Sequence, residues 1–323
     1  MTLKSDRLSV VIPTYQGRDF LADALGSVAR LAAGDIEVLV VDDGSTDGTV
    51  EIARAFESKL PLRILMPRRR GNWMAMTNIG LAEATGARCC ILHQDDMWLT
   101  DRSAVGPTAV VDCQGAMICM ETQIIDRSGR AVGRWRFPRA VRRYVREPAQ
   151  RALAASLYVQ NWLAVPSVVF STQRARDCGG LDESLWYTAD WDLWLKLLHQ
   201  DPAILVRKAG SAFRVHARSQ TLVGSRDVEG FREQMAAVQA RHAWALVEQP
   251  AGDALRRAGD LSTSTNAALA AAFHVEAGGY SGWLRCLRSA GVAGVHAYLG
   301  NASLGDRLLP RARVAASRGR LHR

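Results

Sequence analysis

At 323 residues, with 48% hydrophobic and 23% charged residues, the chain is long enough for a full core and two domains, and its composition is that of a soluble globular protein. No apolar run reaches the roughly 18 residues of a membrane span; the first seven residues lead into a strand without an apolar signal core or cleavage site, so a cytoplasmic protein is expected. The net charge of +9 is uneven, with Arg68-Arg69-Arg70, seven Arg against one acid from Arg134 to Arg151, and six Arg against one Asp from Asp306 to Arg323; such patches attract phosphates, anionic lipid or nucleic acid, but no recognition motif accompanies them, which argues against nucleic acid.

The first hundred residues alternate strand and helix signals, the pattern of a parallel α/β sheet. Leu8–Ile12 reads as a buried strand stopped by Pro13. Apolar residues at 20, 21, 24, 25 and 28 predict a helix over Phe20–Leu31. Ile36–Val41 is a second buried strand. The turn Gly44-Ser45-Thr46-Asp47-Gly48 then offers caps for a helix over Thr49–Phe56. Leu62–Met66 is a third strand. A helix ends over Asn78–Ala84 with Gly86 as its stop, and Cys89–His93 is the fourth strand.

Further on, Ala116–Ile125 and Ala131–Phe137 read as strands about the turn Asp126–Gly129, and Ser167–Phe170 as another. Ala189–His199 is helical, and Ile204–Val206 and Ala212–Val215 are expected as edge strands. After about Gln220 the texture becomes Ala-rich and helical over Val228–Val247, Asp253–Ala277 and Gly282–Leu299. The organisation expected is a domain over 1–220 and a helical region over 221–323 ending in the Arg-rich tail. Cysteines at 89, 90, 113, 119, 178 and 286 form no Cys-x-x-Cys pair with matching His, so zinc and redox chemistry are not indicated.

Two acidic pairs carry the chemistry. Asp42-Asp43 ends the second strand, and Gln94-Asp95-Asp96-Met97 follows the fourth. Adjacent carboxylates where a buried strand meets solvent cost desolvation and mutual repulsion. A divalent cation with substrate phosphates, or a row of donors, would offset that cost. The plainer alternative is that each pair caps the helix after it.

Taken in order, Ile12-Pro13-Thr14-Tyr15, Asp42-Asp43-Gly44-Ser45-Thr46-Asp47-Gly48-Thr49, Asn78–Gly86 before Gln94-Asp95-Asp96, Gly179-Gly180-Leu181-Asp182-Glu183 and Ala189-Asp190-Trp191-Asp192-Leu193-Trp194-Leu195 form a series. It resembles the family 2 glycosyltransferases over roughly residues 8–220. The resemblance implies a GT-A fold, a nucleotide-diphospho-sugar transferase-like α/β architecture with a mainly parallel sheet flanked by helices, here followed by the helical C-terminal region. It implies a nucleoside-diphosphate sugar donor and Mg²⁺ or Mn²⁺.

By the resemblance, Pro13, Thr14 and Tyr15 would line the base and ribose, and Asp43 would accept a hydrogen bond from the base, with Asp42 assisting or supporting the loop. Asn78 would lie near the nucleotide. Asp95 would contact ribose or sugar, and Asp96 would hold the metal on the diphosphate, with His216 completing the metal shell or touching the diphosphate. Asp190, at a helix start whose dipole favours its ionised form, would be the general base of an inverting displacement.

The family often has an acidic or small residue where Gln94 stands, and an acidic one where Ala189 stands. Asp192 is then a competitor for the base, or a solvent-facing charge; about 200° of helical rotation separates it from Asp190. His93 could orient a carboxylate or serve structure. At most one or two of Arg68–Arg70 could face a phosphate. Trp98, Trp186 and Trp191 could stack on sugars or belong to the core.

The reading that results is a metal-dependent inverting glycosyltransferase in cell-surface polysaccharide synthesis. Its acceptor would be a glycan or a polyprenyl-diphosphate-linked glycan. The basic stretches suggest peripheral contact with the inner face of the cell membrane. Gln94 and Ala189 keep open a second reading, a catalytically degenerate GT-A domain that acts as a scaffold in polysaccharide assembly. A nucleotidyltransferase would carry a Gly-rich loop with Lys or Arg after the first strand, where this chain has Pro13-Thr14-Tyr15-Gln16-Gly17-Arg18.

Overall fold

A computed structural model describes residues 3–31, 35–100, 117–145, 149–216, 219, 227–247, 249–274 and 280–302. The Arg-rich tail, Cys113 and the expected boundary near Gln220 lie outside the described residues.

Strands β1 (Lys4–Thr14), β2 (Ile36–Asp42), β3 (Leu62–Leu65) and β4 (Gly86–Ile91) form a parallel half-sheet, β1 lying between β2 and β4. Beyond β4 come β5 (Met97–Trp98), β6 (Met117–Ile125), β7 (Ala131–Trp135), β8 (Val168–Ser171) and β9 (Ala203–Arg214). The order across the sheet is β3-β2-β1-β4-β8-β6-β9-β5, with β7 paired to β6. This second half is mixed: β8 is antiparallel to both its neighbours, and β6 and β9 run parallel.

The strands of the parallel half are apolar on both faces because helices cover both. Val10, Ile12, Val38, Val40, Cys90 and Leu92 join one core with Leu21, Leu25 and Val28 of α1 (Leu21–Leu31). Val11, Leu39, Val41, Cys89 and Ile91 join the other with α3 (Trp73–Glu83). Between them in the chain lies the short α2 (Thr49–Arg54). The second core continues through α4 (Arg151–Val159), α5 (Thr172–Asp177) and α6 (Ala189–Gln200). It takes in Phe231, Met235 and Val238 of α7 (Val228–Arg241), Ala258 and Leu261 of α8 (Gly252–His274), and Tyr298 of α9 (Tyr280–Asn301). Among the described residues no helix is long and apolar enough to cross a membrane.

Three local expectations are corrected. Pro13 does not stop β1; it pairs with Val41, and β4 pairs with β1 only as far as Val11, so no ladder on that side asks Pro13 for a donor. Gly86 does not end α3 but opens β4, where a Cβ would stand 2.5 Å from the Arg7 carbonyl oxygen. The two edge strands are one, β9, lying between β6 and β5; Met120 pairs with Val206 and Glu121 with Ala209, so the exposed Arg207 and Lys208 bulge out without ending the strand.

Candidate active site

Parallel strands bring their carboxyl ends to one edge, where a crevice forms. Here that edge opens onto a cavity of about 530 Å³. Pro13, Thr14, Tyr15, Asp43, Asp95, Asp190 and His216 all line it, as do His93 and Gln94. Asp42, Asn78 and Asp96 do not, and their bonds explain why.

Asp42 is buried and holds the loop after β2. It accepts from Gly44 N at 3.0 Å, Ser45 N at 2.8 Å, Ser45 Oγ at 2.6 Å and Thr14 Oγ1 at 3.1 Å. Gly44, at φ +81°, supplies the left-handed turn this requires. Asp43 accepts from Arg70 N at 2.6 Å and Gly71 N at 2.7 Å, which fixes its carboxylate in the cavity wall. Of the three arginines, Arg69 stacks on Tyr15 and bonds its hydroxyl at 2.7 Å, while the Arg70 side chain pairs with Glu183 at 3.2 Å. Asn78 exchanges bonds of 2.9 Å with the Leu181 carbonyl and N–H, tying α3 to the loop Gly179–Glu183.

Gln94 clamps the end of β1. Its Oε1 accepts from Tyr15 N at 2.9 Å and its Nε2 donates to the Tyr15 carbonyl at 3.0 Å, a pairing no carboxylate could make. Next in the chain, Gln16 holds φ at 49°, and its side-chain amide pairs with Thr46 at 3.0 and 3.2 Å. A non-glycine in the left-handed region costs free energy, and such residues concentrate at functional sites.

One ligand atom from each of His93, Asp95 and Asp96 falls within 4.8 Å of the others. Asp95 Oδ2 lies 2.8 Å from His216 Nε2; burial pushes the Asp95 carboxyl up, but the opposing effects, led by the His216 bond, hold it below its usual range. Burial pushes Asp96 well up, and the neighbouring Asp95 charge adds to this. Its Oδ1 accepts from Arg214 N at 3.0 Å, whereas its Oδ2 is buried without a hydrogen-bond partner. His93 Nε2 is likewise unpartnered, and burial holds its imidazole below the usual range, neutral with a lone pair. An orphaned carboxylate oxygen, a second carboxylate and a neutral imidazole are a donor set that fits Mn²⁺ or Mg²⁺. His216 lines the same cavity and is bonded to Asp95, outside the group of His93, Asp95 and Asp96.

Asp190 sits in the first turn of α6. Trp191 N donates to its Oδ1 at 2.8 Å and Asn161 Nδ2 to its Oδ2 at 3.1 Å. Burial raises its pKa to about 6, with those two bonds pulling the other way. Asp192 is not the solvent-facing charge that was one expectation for it. It is fully buried, bonded to Arg241 and His242 at 2.8 Å and to Lys196 at 2.7 Å, and held far below the carboxylate range, which leaves Asp190 as the carboxylate facing the cavity from α6. Trp186 and Trp191 line the cavity, Trp191 with its Nε1 bonded to the Leu157 carbonyl at 2.8 Å; Trp98 lies in the α1-side core.

Arg214 and Asn161 were not anticipated. Arg214 is 1% exposed, its Nε donating to the Asp95 carbonyl at 2.8 Å, so it pins the whole acidic turn. An isolated Arg or Asn in sequence carries no signal for such a role. Phe231, Met235 and Asn266, from α7 and α8, complete the cavity wall.

Residues 9–106 match the model of the glycosyl transferase family 2. An uncharacterised glycosyltransferase of Rickettsia typhi is 25% identical over 232 residues, covering 70% of each chain. A PGL/p-HBAD biosynthesis glycosyltransferase of Mycobacterium bovis is 40% identical over 90 residues, 27% of this chain and 35% of the relative. Among solved structures, S. aureus TarS in complex with UDP-GlcNAc superposes with a TM-score of 0.64 at 17% identity, over 91% of this chain and 89% of TarS. The mannosyltransferase PcManGT from Pyrobaculum calidifontis, in complex with GDP-Man and Mn²⁺, gives 0.52 at 17% identity, over 95% and 90%. The sheet with its flanking helices is the GT-A fold, and it is over residues 9–106 that the chain matches the family 2 glycosyltransferases.

Proposed function

We propose that this glycosyltransferase is metal-dependent and inverting, and that it moves a sugar from a nucleoside-diphosphate donor to a glycan or lipid-linked glycan acceptor in cell-surface polysaccharide synthesis. The observation that carries this reading is that Asp190, raised to about 6, shares one cavity with Asp43, His93, Asp95 and His216. A base is most effective when its pKa lies near the working pH.

In this reading Pro13, Thr14, Tyr15 and Asp43 bind the nucleoside. Asp95 and Asp96, with His93, would hold Mg²⁺ or Mn²⁺, and His216 would orient Asp95. The chemistry such an ion supplies is neutralisation of the charge that develops on the leaving diphosphate. Asp190 takes the proton of the acceptor hydroxyl as that oxygen attacks the anomeric carbon. The bond from that carbon to the diphosphate oxygen breaks, the electron pair leaves with the nucleoside diphosphate, and configuration inverts. Asp42 and Asn78 support this arrangement from outside the cavity, through the loops they hold.

Residues 1–220 would form the catalytic domain, and the helical region 221–323 would add the far wall of the cavity. The exposed Arg136, Arg139, Arg142 and Arg143 support peripheral contact with an anionic membrane surface on the cytoplasmic side. Melting the protein with UDP, GDP, dTDP and CDP sugars, with and without Mn²⁺ or Mg²⁺, tests donor and metal together. A metal-dependent rise with one nucleotide, lost in Asp96→Ala, is expected. No rise with any donor in a folded protein would favour the scaffold reading.

A further inference from the structure

We infer that Asn161 is a positioning residue for Asp190, and that helix α8 of the C-terminal region holds it in place through Gln160. The inference rests on the reading of Asp190 as the base.

The bonds run in one line. Asn161 Nδ2 donates to Asp190 Oδ2 at 3.1 Å, and Asn161 Oδ1 accepts from Leu163 N at 3.1 Å. The second bond fixes the sense of the amide, because only its oxygen can accept from an N–H; the NH₂ therefore faces the carboxylate. With Trp191 N on Oδ1, each oxygen of Asp190 has one donor, which sets the plane of the carboxylate and leaves lone pairs for an acceptor hydroxyl.

Behind Asn161, Gln160 is 2% exposed. Its Oε1 accepts from Ser262 Oγ at 2.6 Å and Asn266 Nδ2 at 2.9 Å, and its Nε2 donates to the Asn161 carbonyl at 3.4 Å. Ser262 and Asn266 are four residues apart on α8, both buried, on one face of the helix. Buried polar groups are costly unless satisfied. This chain of amides is satisfied only with α8 seated on the segment that carries Asn161, so docking of the C-terminal helix and orientation of the base are one structural event.

A neutral donor suits the position. It stabilises the ionised carboxylate against the burial that lifts it, without competing for the acceptor's proton. The other titratable groups around the cavity are Tyr15, Asp19, Asp43, His93, Asp95, Tyr187 and His216. On α6 Asp192 is engaged with Lys196, Arg241 and His242; on the preceding loop Asp182 pairs with Arg241 and Glu183 with Arg70; Tyr158, Arg256 and Asp260 sit at the contact of α4 and α8. The hydrogen bonds Asp190 accepts from other described residues come from Asn161 and Trp191.

The test is the pH profile of sugar transfer in wild type, Asn161→Ala, Asn161→Asp and Ser262→Ala, with Asp190→Asn beside them. Loss of a hydrogen bond to an ionised group predicts a kcat roughly tenfold to a hundredfold lower in Asn161→Ala, with donor KM unchanged. It also predicts an acid limb moved up by about one unit or more, since the carboxylate then holds its proton more tightly. Asn161→Asp, the same shape, places a second carboxylate beside the first and moves the limb further up. Ser262→Ala shifts it in the same direction by less. An acid limb unmoved in both Asn161 variants, whether or not the rate falls, overturns the inference. Full activity in Asp190→Asn would instead overturn the assignment of the base, so the two failures are distinct.

Discussion

Arg214 N donates to Asp96 Oδ1 at 3.0 Å, so the last residue of β9 holds one oxygen of the acidic pair and leaves the other, Oδ2, buried without a hydrogen-bond partner. The same residue's guanidinium reaches the carbonyl of Asp95 at 2.8 Å, that of Arg127 at 2.9 Å and the carboxylate of Asp23 at 2.9 Å. A strand from the mixed half of the sheet thereby fixes a turn that leaves the parallel half.

Replacing that arginine separates geometry from charge. Asp23 is largely exposed and returns to water, but the carbonyls of Asp95 and Arg127 are orphaned. Arg214→Met should cost about 2–4 kcal/mol of stability and weaken Mn²⁺ binding. Chemical denaturation and metal titration measure both; wild-type metal affinity in the variant would deny Arg214 its role.

Asp96 is expected to trade stability for binding. Its folded-state pKa is raised, so the folded protein binds that proton more tightly than the unfolded chain, and this group's contribution falls as pH rises above its ordinary 3.8. In chelator at neutral pH, Asp96→Asn should therefore melt higher than wild type, by about 1–3 °C. It should also lose the rise that Mn²⁺ gives the wild type. A lower melting temperature in chelator would mean the carboxylate is compensated within the protein.

Asp190→Asn should lower kcat by roughly 10²–10⁴ while donor binding, read by calorimetry, stays as in wild type. The wild-type rate should fall as pH drops through about 6, where Asp190 takes up its proton.

The network around Asp192 has the opposite pH sign. Its carboxyl is held far below 3.8 by His242, Lys196 and Arg241 against the burial that raises it. Its stabilisation is present above 3.8 and is lost as pH falls through the lower folded value. Asp192→Asn should melt well below wild type at pH 7, and the gap should narrow in acid. A gap independent of pH would point to packing alone.

Much of the parallel half was legible because strand, turn chemistry and helix alternate there, and each strand is mostly apolar where it crosses the core. The carboxyl ends of β1, β2 and β4 thus delivered Thr14, Asp43 and Asp95 to one cavity. What stayed hidden depends on contacts distant in sequence. Gln94 looked like a departure from an acidic pattern, yet its amide makes two bonds to Tyr15, 79 residues away. Asp192, two residues from the candidate base, could not be assigned until Arg241 and His242 were seen to fold onto it. Asn78 faces the Leu181 backbone, 103 residues away, a direction that no helical periodicity encodes.

The most direct single measurement is consumption of a panel of nucleoside-diphosphate sugars with Mn²⁺, by wild type and by Asp190→Asn, read as nucleoside diphosphate released. The account predicts that wild type consumes the sugars of one nucleotide and that Asp190→Asn, still binding that donor, does not. Equal consumption by the two proteins, or none by a folded wild type that binds no donor, would contradict it.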